Sequence, residues 1–194
     1  MKNLNFTLLL SSFMFLNLNA QTKEKPIGFF GLGLGIGATN NQIGINVPID
    51  IKMNNKFGFS IDIIISGKTP SDQEYMSSIS WQTAQYTYGD TKTGEMESNL
   101  GFNIDLNYTI FKNFSLVGGI AHLGTRTYRK YFDKYYILGN SGNYVVDYSR
   151  ESFYGLSYGG IYEIKDFYIK ATNSTLNYFA FSVGYKIPFT SKYY

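Results

Sequence analysis

Few residues of this chain could do chemistry. His122 is the single histidine among 194 residues and cysteine is absent, so neither a polyhistidine nor a thiolate metal centre can be assembled, and no disulfide. No metal or cofactor is expected. Seven charged side chains, Asp50, Lys52, Asp62, Asp105, Glu163, Lys170 and Lys186, fall on the polar phase of alternating segments. Four carboxylates against three amines nearly cancel. Buried charges persist only when paired and hydrogen-bonded, so these residues, with His122, are expected to form a mutually satisfied network rather than a selective path. A third set is aromatic. Tyr75, Trp81, Tyr86, Tyr88, Tyr135, Tyr136 and Tyr144 lie in polar connecting stretches, where large amphipathic rings serve either as contact anchors or as packing between chain arms. Gly33, Gly35 and Ala38 spell G-x-G-x-x-A, but that fingerprint needs a helix next. Thr39-Asn40-Asn41 and another strand follow instead, so the glycines read as one face of a strand.

The elements that must position these groups show a period of two. In Tyr178 to Phe189, Phe179, Phe181, Val183, Tyr185, Ile187 and Phe189 alternate with Tyr178, Ala180, Ser182, Gly184, Lys186 and Pro188. A bulky apolar face opposite a small or charged one means that the two faces meet different media. The bulky set is too large for a small lumen and is read as facing lipid. The same alternation marks Ile27 to Ala38, Ile43 to Met53, Phe57 to Gly67, Leu100 to Phe111 and Phe153 to Ile164. Phe114 to Tyr128 is apolar in both phases, and Phe167 to Asn173 is short. Each full segment has roughly the ten residues that a tilted membrane-spanning strand requires.

The connections alternate in length. Asn54-Asn55-Lys56, Lys112-Asn113 and Lys165-Asp166 are minimal turns, whereas 68–99 and 129–152 are long and polar. Pairing Met53 with Phe57 brings Ile51 to Phe59, Ile49 to Ile61 and Val47 to Ile63, all apolar. Across Lys165-Asp166, Ile164 meets Phe167 and Tyr162 meets Ile169. Across Lys112-Asn113, Tyr108 meets Val117 and Phe102 meets Leu123, sending His122 inward opposite Asn103. Within the long stretches, Ser77 to Gly89 keeps alternating around Ile79, Trp81, Tyr86 and Tyr88, and Tyr135 to Tyr148 reads as a hairpin tip.

Residues 1–20 carry Lys2, an apolar run from Leu8 to Leu16 and a Leu18-Asn19-Ala20 end, the pattern of a cleaved secretory signal, leaving 21–194 as one domain. The formal net charge of +3 gives no nucleic-acid footprint. Abundant Tyr, Phe and Gly with only four Pro suit many strands, tight turns and aromatic belts. The expected fold is all-β: an eight-stranded antiparallel up-and-down transmembrane β-barrel with short periplasmic turns and long extracellular loops.

The signal ending in Asn19-Ala20-Gln21, the eight segments and the aromatic C-terminal strand together resemble the small eight-stranded outer-membrane β-barrels of Gram-negative bacteria, OmpA/OmpX-type in architecture. The resemblance covers essentially the whole mature chain and rests on pattern. It implies export to the bacterial outer membrane, contact with outer-membrane lipid and insertion by the barrel-assembly machinery, with Phe189 matching the family's terminal aromatic signal ahead of Thr190 to Tyr194. Some barrels of this size are lipid-modifying enzymes with a serine two residues after a histidine, but Leu123-Gly124 follows His122, so no catalytic residue is expected. The expected role is a non-enzymatic surface structural or interaction protein, meeting an extracellular ligand or host surface through loops 68–99 and 129–152. The rival roles are a narrow channel for small solutes, a lipid-modifying enzyme and a soluble periplasmic lipid-binding barrel.

Overall fold

The computed structural model describes residues 27–39, 42–53, 56–71, 75–135 and 142–189; the expected signal at 1–20 lies outside them. Eight strands follow in chain order: β1 Gly28–Thr39, β2 Gln42–Met53, β3 Phe57–Gly67, β4 Thr91–Phe111, β5 Phe114–Phe132, β6 Asn143–Ile164, β7 Phe167–Ser174 and β8 Tyr178–Phe189. Each pairs antiparallel with the next, and β8 closes on β1 through Gly28↔Phe189 to Thr39↔Tyr178. Closure satisfies the backbone groups that a membrane cannot hydrate and leaves no open edge within the wall. No helix among the described residues is long and apolar enough to cross a membrane.

The expected phases hold over most of the wall. Leu34, Ile43, Ile45, Ile65, Leu106, Ile120, Leu156 and Val183 face outward and are exposed, while Asn46, Asp50, Ser60, Asp62, Asn103, Lys170, Thr172 and Ser182 face inward and are buried. The β2–β3 register is the expected one, with Met53↔Phe57, Ile51↔Phe59 and Val47↔Ile63. So is that of β6–β7, with Ile164↔Phe167 and Tyr162↔Ile169. Near the short turns the outer face carries aromatic pairs, Phe57 with Tyr108 at 4.9 Å between ring centroids and Phe167 with Tyr185 at 5.4 Å. They form the girdle of a lipid-facing surface.

The β4–β5 register differs from expectation. Phe111↔Phe114 pairs across the turn as expected, but the ladder shifts between Thr109 and Phe111, so Tyr108 meets Leu116 and Phe102 meets His122. Ile110 is the extra residue of a β-bulge, and a one-residue slip turns every later side chain of the pair to the opposite face. Val117 and Leu123 therefore point into the lumen and His122 points out.

Three strands outgrow the wall. β4, β5 and β6 run for 21, 19 and 22 residues and stay paired to Thr91↔Phe132 and Phe132↔Asn143. Much of the two expected loops is thus a three-stranded arm. The opposite side is low, since β1 and β2 already pair at Thr39↔Gln42 and β7 ends at Ser174.

If the outer face meets lipid, Ile61→Arg should cost about 2–4 kcal/mol near the bilayer midplane, whereas Ile61→Leu should be nearly neutral. Urea midpoints of the two variants refolded into phosphatidylcholine vesicles test this, and equal midpoints would reverse the facing assignment.

Candidate functional site: a filled lumen and a strapped arm

The sequence singled out two sets of side chains, and the structure separates them cleanly. Seven of the eight residues expected in a single network lie in the lumen, where they form two clusters. In the first, the Lys170 ammonium lies 3.1 Å from Asp50 Oδ1 and 3.0 Å from Asp62 Oδ1. Thr172 and Asn103 donate to Asp62 Oδ2, Tyr178 bonds Asn103, and Ser157 donates to the neighbouring Asp105. The second cluster lies nearer the short turns. There Glu163 bridges Lys52 and Lys186, the latter at 3.2 Å, and Phe29 lies against both ammonium groups. Lys52 and Lys186 therefore serve Glu163, not Asp62 and Asp105 as a single network would require.

Apolar layers close the Lys170 cluster from both sides. Ile64, Ala121, Leu123, Tyr178 and Ala180, with Leu176, pack across the loop end, and Val117, Ile161 and Tyr168 pack between the two ionic clusters. Asp62 and Tyr168 are 0% exposed, and Asp50, Asp105, Lys170 and Tyr178 are 1% exposed. A hydrated path would leave its lining accessible to water. Around Asp50, Asp62, Asp105 and Lys170 no such lining exists among the described residues; of the charged lumen groups, Glu163 and Lys186 at the short-turn end are the part-exposed ones, at 15% and 14%.

His122 is not part of it. It stacks on Phe102 at 4.7 Å and against Tyr154 at 4.9 Å on the outer face, and its Nδ1 is buried without a hydrogen-bond partner among the described residues. The expectation of a lumen histidine was wrong because the bulge at Ile110 inverts the phase of β5. Phe114 to Tyr128 is apolar in both phases, so nothing local signalled the inversion.

Residues 75–90 form the second feature. Expected to continue as strand, Ser77 to Gly89 instead contains a π-helical turn, Thr83–Thr87, opened by the Ser80 hydroxyl accepting from Thr83 N–H at 3.1 Å. This strap crosses to the free edge of β6, where Tyr75 bridges Val145 and Met76 N–H donates to the Val145 carbonyl at 2.9 Å. It covers Tyr131, Tyr144 and Val146 with Ala84, Met76, Ile79 and Trp81. Tyr144 takes the packing role of the two expected for these aromatics: it is buried there and donates to Asp90 at 2.6 Å. Burial and this bond push its hydroxyl up. Tyr75 and Trp81 are half-buried, Tyr86, Tyr88 and Tyr135 are exposed, and Tyr136 lies outside the described residues.

Two arginines clamp the strap. Arg126 chelates Asp147 through Nε at 2.7 Å and Nη2 at 2.5 Å, donates to the Tyr75 hydroxyl at 2.7 Å and faces the rings of Tyr75 and Tyr128. Tyr75 and Arg150 also donate to Asp147 at 2.9 Å. Arg129 donates to Glu95 at 2.9 Å and lies 3.3 Å from the Tyr148 ring centroid and 5.2 Å from that of Trp81. Bidentate geometry and aromatic stacking are what arginine supplies and lysine does not. Hydrogen bonds from Arg126, then Arg150 and Tyr75, hold the Asp147 carboxyl down at about 2. Bonds from Lys92 and Arg129 hold Glu95 below its usual range. The sequence reading missed both arginines, although their interleaving with Tyr128, Tyr131 and Tyr148 was a signal.

The fold and its filled interior define a small eight-stranded transmembrane β-barrel, in architecture one of the small outer-membrane type. Among solved structures the chain is similar to Ail, the attachment invasion locus protein of Yersinia pestis, with 12% identity over 84% of this chain and 99% of that one at a TM-score of 0.48. Ail has also been solved in complex with the heparin analogue sucrose octasulfate. A major outer membrane protein of Thermus thermophilus is 10% identical over 82% of this chain and 99% of that one, at a TM-score of 0.44. No family model and no curated protein matches the chain.

Removing the shared cation should expose the lumen's dependence on it. Lys170→Met leaves Asp50 and Asp62 unpaired, and breaking such a buried pair should cost about 3–5 kcal/mol, read as a lower temperature of unfolding in SDS. The clamps give a pH test through Trp81, the only tryptophan. The folded carboxyl of Asp147 lies below its ordinary 3.8, so its contribution is complete above that value and is lost as pH falls through about 2. Trp81 emission should stay constant from pH 7 to 4 and shift to the red only as pH approaches 2.

Proposed function

We propose that the chain is a monomeric outer-membrane barrel of a Gram-negative bacterium that acts as a non-enzymatic surface structural or interaction protein through its arm. It is exported through the signal at 1–20, inserted by the barrel-assembly machinery and oriented with its short turns in the periplasm. The single observation that carries this reading is the contrast between the two ends of the molecule's chemistry. The lumen is filled, with its charges in close contact with one another, whereas the arm is braced by ion pairs and presents Tyr86, Tyr88 and Tyr135 to solvent.

The rival roles find less support. A channel needs lumen groups that meet water along its length, and Asp50, Asp62, Asp105 and Lys170 are buried. A lipid-modifying enzyme needs a nucleophile or acid on its histidine, yet His122 is flanked by Phe102 and Tyr154. A lipocalin-like carrier needs interior space, which Tyr168, Tyr178, Ile64 and Leu123 occupy here.

Three measurements on the mature chain test the proposal. Unboiled protein should migrate apart from boiled protein in SDS, as a closed membrane barrel does. Planar bilayers should show no stepwise conductance. Replacing 69–88 with a short Gly/Asn turn should leave a heat-modifiable barrel, while binding of whole cells to host matrix or to other cells, where it exists for the native chain, is lost. Stepwise conductance of the native protein would move the assignment to a channel, and a variant that no longer folds would make the strap part of the wall.

A further inference from the structure

The short-turn end repeats one arrangement three times. Lys56 precedes Phe57 between β2 and β3, Lys112 follows Phe111 between β4 and β5, and Lys165 stands after Ile164 and two residues before Phe167 between β6 and β7. The three lysines are exposed, as are Phe57, Phe111, Ile164 and Phe167. None of these ammonium groups has an ion-pair partner among the described residues, and Asp166 is the one carboxylate in the three turns. The arm differs. There Arg126 and Arg150 share Asp147, and Arg129 and Lys92 share Glu95. Lys68 and Lys130 at the loop end also lack an ion-pair partner among the described residues. The arm strands, however, carry Glu95, Glu97, Asp147 and Glu151 beside their cations, whereas the three turns set three lysines against Asp166 alone. The excess of positive charge thus lies at the rim that the aromatic girdle borders.

A lysine beside an exposed apolar side chain straddles the boundary between hydrocarbon and headgroups, its stem along the apolar surface and its ammonium among phosphates. A zwitterionic headgroup cancels its own phosphate, whereas an anionic one leaves a net charge for the ammonium to meet. The geometry points to a collar, formed by Lys56, Lys112 and Lys165, that binds the headgroups of anionic phospholipids of the phosphatidylglycerol type in the leaflet facing the short turns. This rests on the membrane reading above, and goes beyond it by naming a lipid class and a rim.

Electron spin resonance of the whole barrel in phosphatidylcholine bilayers tests the collar. Trace spin-labelled phosphatidylglycerol or phosphatidylcholine reports the lipid that the protein restricts. Phosphatidylglycerol should be preferred by about fivefold, and 1 M NaCl should erode the preference. Lys56→Gln/Lys112→Gln/Lys165→Gln should abolish it, and the corresponding triple arginine variant should keep it. Lys92→Gln/Lys130→Gln on the arm should leave it unchanged. If the triple glutamine variant does not fold, each single variant should lower the preference in part. Equal restriction of both lipids by the native barrel, or an undiminished preference in the glutamine variants, overturns the collar while leaving the membrane barrel intact. The same holds if those variants lose only co-sedimentation with peptidoglycan. No restricted lipid of either kind would overturn the membrane reading itself.

Discussion

Ring closure with a small stagger is the constraint on which the rest depends. A ladder of paired residues through Phe30, Ile51, Phe59, Leu106, Gly118, Tyr158, Asn173 and Phe179 returns to β1 at Ala38, eight residues beyond its start. Eight strands with a stagger of eight tilt by about 36° and enclose an interior that side chains fill. The lumen must then be packed as a core. The Tyr168 ring lies where a Cβ on Gly184 would fall, and 2.8 Å from one on Gly31, so glycine at both positions is what admits the tyrosine. The charges obey the same limit. With little room for a hydration shell, six of the seven are held in shared ion pairs, Lys170 and Glu163 each bridging two partners, while Asp105 is met by the Ser157 hydroxyl.

Alternation was enough to read the wall because a barrel between lipid and a filled core asks for opposite chemistry on successive residues. The β2–β3 pairing was legible residue by residue, since Val47, Ile49 and Ile51 have no comfortable register other than the observed one. Where both phases are apolar the signal vanished. Val117, Leu123 and Ile120 suit either side, so the bulge at Ile110 left no mark beyond two consecutive exposed residues, Ile110 and Phe111.

The strap was misread for a different reason. Ile79, Trp81, Tyr86 and Tyr88 alternate, but local period competes with tertiary packing. Tyr131 and Tyr144 offer an apolar surface that a compact helical turn covers better than another strand, whose side chains would face both ways. The two arginines then fix the strap from Tyr75 at one end and Trp81 near the other. Membership of the lumen was therefore visible in the sequence for the seven charged residues, whereas the partners within it, and the whole of the clamp, depend on contacts far apart in the chain.

In the proposed orientation the uneven mouth of the barrel sets how far the arm reaches from the bilayer. On β6, residues 143–152 continue past the wall, and at roughly 3.4 Å per residue, reduced by the tilt, they rise nearly 30 Å. The headgroup zone on one side of a bilayer is only about 5–8 Å thick. In the proposed orientation the tip at Tyr135 thus stands clear of the lipid phosphates, while the low side at Thr39 and Ser174 ends near the lipid. Long surface polysaccharide would mask the low side first and the arm last. Whatever the arm touches is then met at a distance set by strand length, and shortening β5 and β6 by matched residue pairs would lower that distance in steps without altering the wall.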